Sequence, residues 1–342
     1  MKKNNLRQFA AIFMSCILCA QTYAQQHKTT FLFVETAPGN IRNIMQNNAD
    51  ALFEEIHRAQ WQNKSTLSLK NITPEAEKRI NSIWETSHFY CLKSGRIIKK
   101  VLAQRKLNGA VEKYQVRSIP VFFEQGKDAI EQNQEIVIEF TPDGKICDMY
   151  CAITGNRYND IIGGADSVKD LSNREIIVNF VDNFKTAYNC KDLDYLQNVY
   201  SENALIITGR VLQSGGKSPK PVQETKKEKE FEYSVENKKQ YLDRLGRIFR
   251  NNKYVNIKFD SIMIVQKETM PIYGVTLKQD WTTKPSEKSN SGYHDEGWLF
   301  LLIDFSDTEK PTVWVRTWQP LTDDKGNVIT KDRIFNPYDF PF

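Results

Sequence analysis

The run from Asn173 to Gly209, NREIIVNFVDNFKTAYNCKDLDYLQNVYSENALIITG, constrains this chain more than any other stretch. Ile176, Ile177, Phe180, Phe184, Ala187 and Tyr188 recur at spacings of three and four, which predicts an amphipathic helix over 173–189 capped by Asn173. A break follows, then a short helix over 192–200 burying Leu193, Leu196, Val199 and Tyr200, then the strand ALIIT at 204–208. A helix over 235–251 places Tyr241, Leu245, Ile248 and Phe249 on one side. Strands near 254–266, 271–283, 293–305 and 312–320 complete the series. Helices that precede a run of strands define an α+β domain.

The first half uses similar parts. TTFLFV at 29–34 reads as a strand, and Asn40 to Gln62 as a helix with one buried stripe. Thr73 followed by Pro74, Glu75 and Glu77 marks the start of a second helix. Strands are expected over 96–104, 114–124, 134–141 and 145–153, the last two joined by the turn Thr141-Pro142-Asp143-Gly144. Pro120 makes its strand an edge or a bulged one. Residues 154–171 carry three glycines, Gly155, Gly163 and Gly164, and few large apolar groups, and read as a linker.

The N-terminus has the form of a leader. Lys2, Lys3 and Arg7 precede an apolar run from Phe9 to Ala20 that is too short to span a bilayer, and Thr22-Tyr23-Ala24 offers small residues for cleavage. Cys16 and Cys19 lack the surroundings that lipidation needs, so a periplasmic or secreted product is expected rather than a lipoprotein. The organisation is therefore a signal peptide over 1–24, a first domain over 28–153, the linker, and a second domain with a C-terminal tail over 172–342. Three of the charges behind the net +5 belong to the leader, so nothing in the balance argues for nucleic acid. No later apolar run is long enough for a transmembrane helix. Four cysteines remain, Cys91, Cys147, Cys151 and Cys190. Cys147 and Cys151 share a strand and stand roughly 13 Å apart, too far to bond each other, while a pair with Cys91 stays open beside buried free thiols.

The second half, with IIVNFVDNFKTAY, DLDYLQNVY, ALIITG and the strands behind them, resembles the nuclear transport factor 2-like superfamily, which includes SnoaL-like and ketosteroid-isomerase-like proteins. The resemblance implies a cone: a curved antiparallel sheet wrapped over helices, with a pocket between. It implies the same for the first half if that half is a degenerate copy, hence two cone-shaped α+β domains. Members of the superfamily include isomerases, dehydratases and non-catalytic binding modules, so fold alone does not assign chemistry.

Motifs add little. Ser214-Gly215-Gly216-Lys217-Ser218 lacks the spacing of a phosphate loop, and the basic run 217–229 is interleaved with Glu as a solvated loop would be. The four histidines, at 27, 57, 88 and 294, have no metal-binding spacing, and no metal or cofactor is expected. Acid–base work in such a pocket would need a buried carboxylate or histidine, for which Asp260, Asp280, His294, Glu296 and Asp304 are the candidates. No catalytic residue is assigned from them. Strand alternation places Tyr273, Val275, Leu277, Gln279 and Trp281 on one face. Trp281, Trp298, Trp314, Trp318 and Tyr293 make the last strands aromatic, and Arg316 is expected to share a face with Trp314 and Trp318, where it could bind an anion or stack. The expected ligand site comprises Tyr188, Tyr200, Gln279, Trp281, His294, Glu296, Trp298 and Arg316. The function that follows is an exported, non-enzymatic protein binding a small apolar or glycan ligand, or a protein partner. The alternatives are a cofactor-independent SnoaL-like enzyme and a module that dimerises through a sheet face.

Overall fold

The computed structural model describes residues 29–91, 95–106, 108–126, 132–163, 168, 170–212, 230–286, 292–322, 326–330 and 333–340. The leader, the Ser214–Ser218 motif and the basic run 217–229 lie outside the described residues. The chain is α+β, with two six-stranded sheets, and divides into two compact units, the first ending at Tyr150 and the second beginning at Cys151.

In the first unit β1 (Thr29–Val34) is followed by α1 (Gly39–Trp61) and α2 (Pro74–Thr86). Thr73 caps α2 by accepting from the Ala76 N–H, with Pro74 in the first turn, as its sequence dictates. Then come β2 (Phe89–Tyr90), β3 (Gly95–Arg105), β4 (Val111–Phe123), β5 (Asn133–Phe140) and β6 (Ile146–Cys151). The sheet order is β1-β3-β4-β5-β6, with β2 also on β4 and with β1 parallel to β3. Pro120 sits in β4, a strand paired on both sides. It lies in the gap between the β3 partners of 111–116 and the β2 partners of 122–123, beside a register shift against β5 between Val116 and Ile119. The missing N–H therefore costs no ladder bond.

The second unit contains α3 (Gly155–Ile162), α4 (Leu171–Asn189), α5 (Leu193–Val199), β7 (Tyr200–Leu212), β8 (Glu230–Glu236), α6 (Lys238–Asn251), β9 (Tyr254–Gln266), β10 (Ile272–Lys284), β11 (Tyr293–Asp304) and β12 (Thr312–Pro320). Its sheet order is β8-β7-β12-β11-β10-β9, with β7 parallel to β12. The two sheets thus use similar parts in different orders: the first parallel strand precedes its helices, the second follows them.

Two expectations are corrected here. Residues 155–162 are helical, and α3 is tied into the second unit by Arg157 to Asp260 at 2.8 Å and by Arg174 to the Ile162 carbonyl at 2.6 Å. The cap of α4 is Asp170, which accepts from Ser172; Asn173 lies inside the helix and donates to the Tyr273 hydroxyl at 2.9 Å.

One side of α4 is apolar, with Ile177, Phe180, Val181, Phe184 and Tyr188 buried against the sheet. The other side is polar yet buried. Asp182 accepts from the Ile153 N–H at 2.7 Å, Thr186 from Cys151 at 3.0 Å, and Lys185 donates to the Ala152 carbonyl at 3.0 Å. Asn189 accepts from Ile257 at 2.6 Å and so fixes the end of α4 to β9. These side chains satisfy backbone groups that no ladder reaches.

Candidate functional site

The concave face of the second sheet, the face toward α4, carries three tyrosines in one hydrogen-bonded cluster. Tyr188 stands one turn past Phe184 on α4, Tyr200 begins β7, and Tyr241 lies in the first turn of α6, which Asn237 and Gln240 hold with a capping box. The Tyr188 hydroxyl is 3.0 Å from that of Tyr200 and 2.5 Å from that of Tyr241. All three side chains are buried. Burial pushes the Tyr188 and Tyr200 phenols well above their ordinary range, with the other phenols adding to the effect, so both stay protonated. Trp281 meets the Tyr188 ring edge-on at 5.7 Å, and Phe184 and Phe249 complete the aromatic wall.

Arg316 projects into this cluster from β12. Its guanidinium carbon lies 5.1 Å from the centre of the Tyr241 ring, and only 6% of the residue is exposed. Burial alone would lower its pKa; the phenols of Tyr241, Tyr188 and Tyr200 outweigh that and raise it, so the group is cationic. Arg244 lies 5.2 Å from the same ring but spends its charge on Glu236, with bonds of 2.9 and 2.6 Å to the two carboxylate oxygens. Among the described residues no carboxylate pairs with Arg316, and its Nε has no hydrogen-bond partner.

The cross-strand register sets the rest of this face. Gln279 stands opposite Gly297, Leu299 opposite Trp318, Leu301 opposite Arg316, and Trp318 beside Thr208 of β7. A Cβ on Gly297 would come within 2.5 Å of the Trp318 ring, so only glycine lets that indole lie across β11. Gln279 Oε1 and Thr208 Oγ1 are buried and, among the described residues, without a partner. Three such atoms therefore share the concave face, those of Gln279, Thr208 and Arg316; Thr317 Oγ1 and Trp298 Nε1 are unpartnered on the other face. Asp295 stands opposite Trp281 on the same face, and burial raises its pKa despite a bond from Tyr293.

The structure divides the expected ligand set. Tyr188, Tyr200, Gln279, Trp281 and Arg316 share the concave face. His294, Glu296 and Trp298 do not: they pair directly with Thr282, Asp280 and Lys278, and directly opposed residues point to one face, here the outer one. Alternation within each strand was legible, but the register between strands was not, and a shift of one residue changes face. Trp314 also departs from expectation. A register shift at Leu302/Ile303 separates it from Arg316, and it packs on the outer face with Phe300 and Leu302.

On the outer face Asp280, His294 and Glu296 bring ligand-type atoms within 4.8 Å of one another. The His294 Nδ1 faces Asp280 at 3.4 Å while its Nε2 faces Glu296 at 3.7 Å, and Lys258 and Lys278 approach the same carboxylates at 4.0 and 3.6 Å. One ring nitrogen at most could serve a cation held with both carboxylates, and the lysines already neutralise them. The apolar part of the outer face, around Phe300, Leu302 and Val315, is covered by the chain's own tail. Phe340 stacks on Phe300 at 5.8 Å, the Phe335 N–H reaches Gln319, Lys267 donates to the Phe340 carbonyl at 2.7 Å, and Pro337 fills the space over Gly274.

Sequence reasoning did not single out Thr208, Glu236, Arg244 or Asp295, and it read Tyr241 as core. The available signal was the alternation of β7 and β11, which places Thr208 with Ile206 and Asp295 with Leu299 on the inner side. The four cysteines are free thiols, and burial pushes Cys91 and Cys147 up to about 12.

No protein-family model matches the chain, and no curated protein matches it. Solved structures do, over part of its length. The matches include Bd1075 of Bdellovibrio bacteriovorus, 15% identical over 44% of this chain and 42% of that one, TM-score 0.31. A protein from Novosphingobium aromaticivorans provisionally assigned as an aromatic ring hydroxylase is 11% identical over 46% of this chain and 94% of its own, TM-score 0.33. A provisionally assigned dehydratase of the nuclear transport factor 2-like family from Streptomyces avermitilis is 9% identical over 41% of this chain and 89% of its own, TM-score 0.29. The matched share of the Bdellovibrio protein is less than half its length. Identities this low speak for no chemistry, which has to come from the side chains themselves.

Proposed function

We propose that this is an exported protein whose second unit holds a small ligand against the concave face of its sheet, without catalysing a reaction. The observation that carries this reading is the set of three buried polar atoms on that one face that have no partner among the described residues, Gln279 Oε1, Thr208 Oγ1 and Arg316 Nε, beside Trp281, Trp318 and the tyrosine cluster. Buried polar atoms are normally satisfied, and aromatic walls with a few convergent polar groups are the usual make-up of a ligand site. Export rests on the basic, apolar and small-residue segments of 1–24. Native mass spectrometry of protein purified from its own compartment tests both parts. A retained small molecule, on a chain beginning near Gln25, is the expected result. An apo mass under gentle conditions together with an intact Met1 would overturn it.

A second reading is favoured by Asp295. A half-buried carboxylate with a raised pKa opposite Trp281 is suited to proton transfer. Incubating the retained molecule with the protein in D2O decides between the two. Deuterium uptake that Asp295→Asn abolishes identifies an enzyme, whereas an unchanged ligand supports binding alone.

The dimerisation alternative would need an open sheet face. The apolar part of the outer face, around Phe300, Leu302 and Val315, is already occupied by Phe335 and Phe340.

A further inference from the structure

We propose that the ligand of the concave face carries a carboxylate or a comparable oxyanion, and that Arg316 and one phenol of the tyrosine cluster receive it. The proposal rests on the small-ligand reading above and names the chemistry of that ligand. Its basis is a count of protons. Tyr188, Tyr200 and Tyr241 present three O–H groups, and they share two oxygen–oxygen contacts. Each contact consumes one proton, so one phenol proton is left without an acceptor. Arg316 hydrogen-bonds Tyr188, yet among the described residues its Nε–H has no partner of its own. Glu236, which pairs across β8 and β7 with Ile206 on the same face, has both oxygens engaged by Arg244. The cluster is thus cationic, rich in donors and short of acceptors. Gln279 Oε1, the amide acceptor left over on this face, sits two strands away on β10.

A group that only accepts, and that is itself negative, complements all three properties at once. A carboxylate can take the Nε–H of Arg316 on one oxygen and a phenol O–H on the other, both charge-assisted. It also supplies the counter-charge that a buried guanidinium otherwise lacks. An ammonium would meet a like charge beside Arg316, and a neutral donor would leave the Arg316 Nε–H and the spare phenol proton unanswered. The Tyr188–Trp281 pair beside the cluster offers ring faces and edges for an apolar portion of the ligand.

Paired probes test the inference on the purified protein: acetate, benzoate and 2-naphthoate against their uncharged amides, by calorimetric titration and thermal shift at pH 7. At least one acid should bind tenfold or more tightly than its amide and raise the melting midpoint where the amide does not. Arg316→Gln should bring that ratio close to one, while Arg316→Lys retains part of it. Where Arg316→Gln does not fold, the acid-against-amide preference of the unaltered protein carries the same test. Amides that bind as tightly as the acids would overturn the anion proposal and leave small-ligand binding standing. If neither series binds or shifts the midpoint, both fall together.

Discussion

Tyr188 is the residue on which the second unit's interior turns, because its hydroxyl is hydrogen-bonded to those of both Tyr200 and Tyr241. Tyr188→Phe keeps the ring contacts with Phe184 and Trp281 but removes the shared oxygen, leaving the Tyr200 and Tyr241 hydroxyls buried without their partner. The expected loss is about 1–3 kcal/mol. Tyr200→Phe removes a terminal member and should cost less, and chemical denaturation of the two variants checks the order. In the first unit Asp148 provides a pH readout. Burial pushes its carboxyl up to about 6, although Arg79 lies 3.1 Å away and pulls it down. The folded state then binds this proton more tightly than the unfolded chain, whose Asp titrates near ~4. Its contribution to stability is therefore greatest at acid pH and is lost as pH rises from about 4 to about 6, with no further change above. Asp148→Asn should flatten that part of the stability profile, as followed by urea titrations across the range.

At the scale of elements, α4 and the tail decide which surfaces of the second sheet are available. Helix α4 covers the concave face with one stripe and anchors the segment Cys151–Ile153 with the opposite one. Its amphipathicity in the sequence marks only the first role. The tail is the less expected element. Ile334 and Phe340 are buried, and Gly274 is the residue whose missing side chain admits Pro337. Phe340→Ala should cost about 3–5 kcal/mol, the usual range for a truncated buried aromatic. It should also expose Phe300 and Leu302 and promote self-association, visible as a concentration-dependent rise in sedimentation coefficient. A variant that stays monomeric and loses little stability would show that the tail does not hold this face.

At the scale of the molecule, the boundary between units follows hydrogen bonds rather than composition. Residues 154–171 look like a linker by their glycines, yet α3 is pinned by Arg174, and Ala152 and Ile153 are partners of Lys185 and Asp182. A fragment comprising 151–342 is expected to melt cooperatively on its own. A fragment comprising 172–342 loses the groups that satisfy Asp182, Lys185 and Thr186, each a loss of about 1–3 kcal/mol when buried, and should melt at a lower temperature or not fold. Calorimetry of both fragments tests the boundary. Equal melting of the two would place the division where composition suggested.

Much of the fold was legible in the sequence, because its signals are local. The period of α4, the Thr73-Pro74 start of α2 and the β-branched runs of β9 to β12 depend on neighbours a few positions apart. Five of the eight expected site residues, Tyr188, Tyr200, Gln279, Trp281 and Arg316, lie at the concave face, where helix stripe and strand alternation could place them. Facing depends on register between strands, and register is a tertiary quantity. Pairing Asp280 with Glu296 sent His294, Glu296 and Trp298 to the outer face, and one shift at Leu302/Ile303 parted Trp314 from Arg316. The sequence by itself determined which residues could form helices, strands and an aromatic concave wall. Only the tertiary structure decided that Arg316 would lie among three phenols and, among the described residues, without a carboxylate. Nothing local distinguishes a guanidinium that will pair with a carboxylate, as Arg244 does with Glu236, from one that will lie against phenols, as Arg316 does.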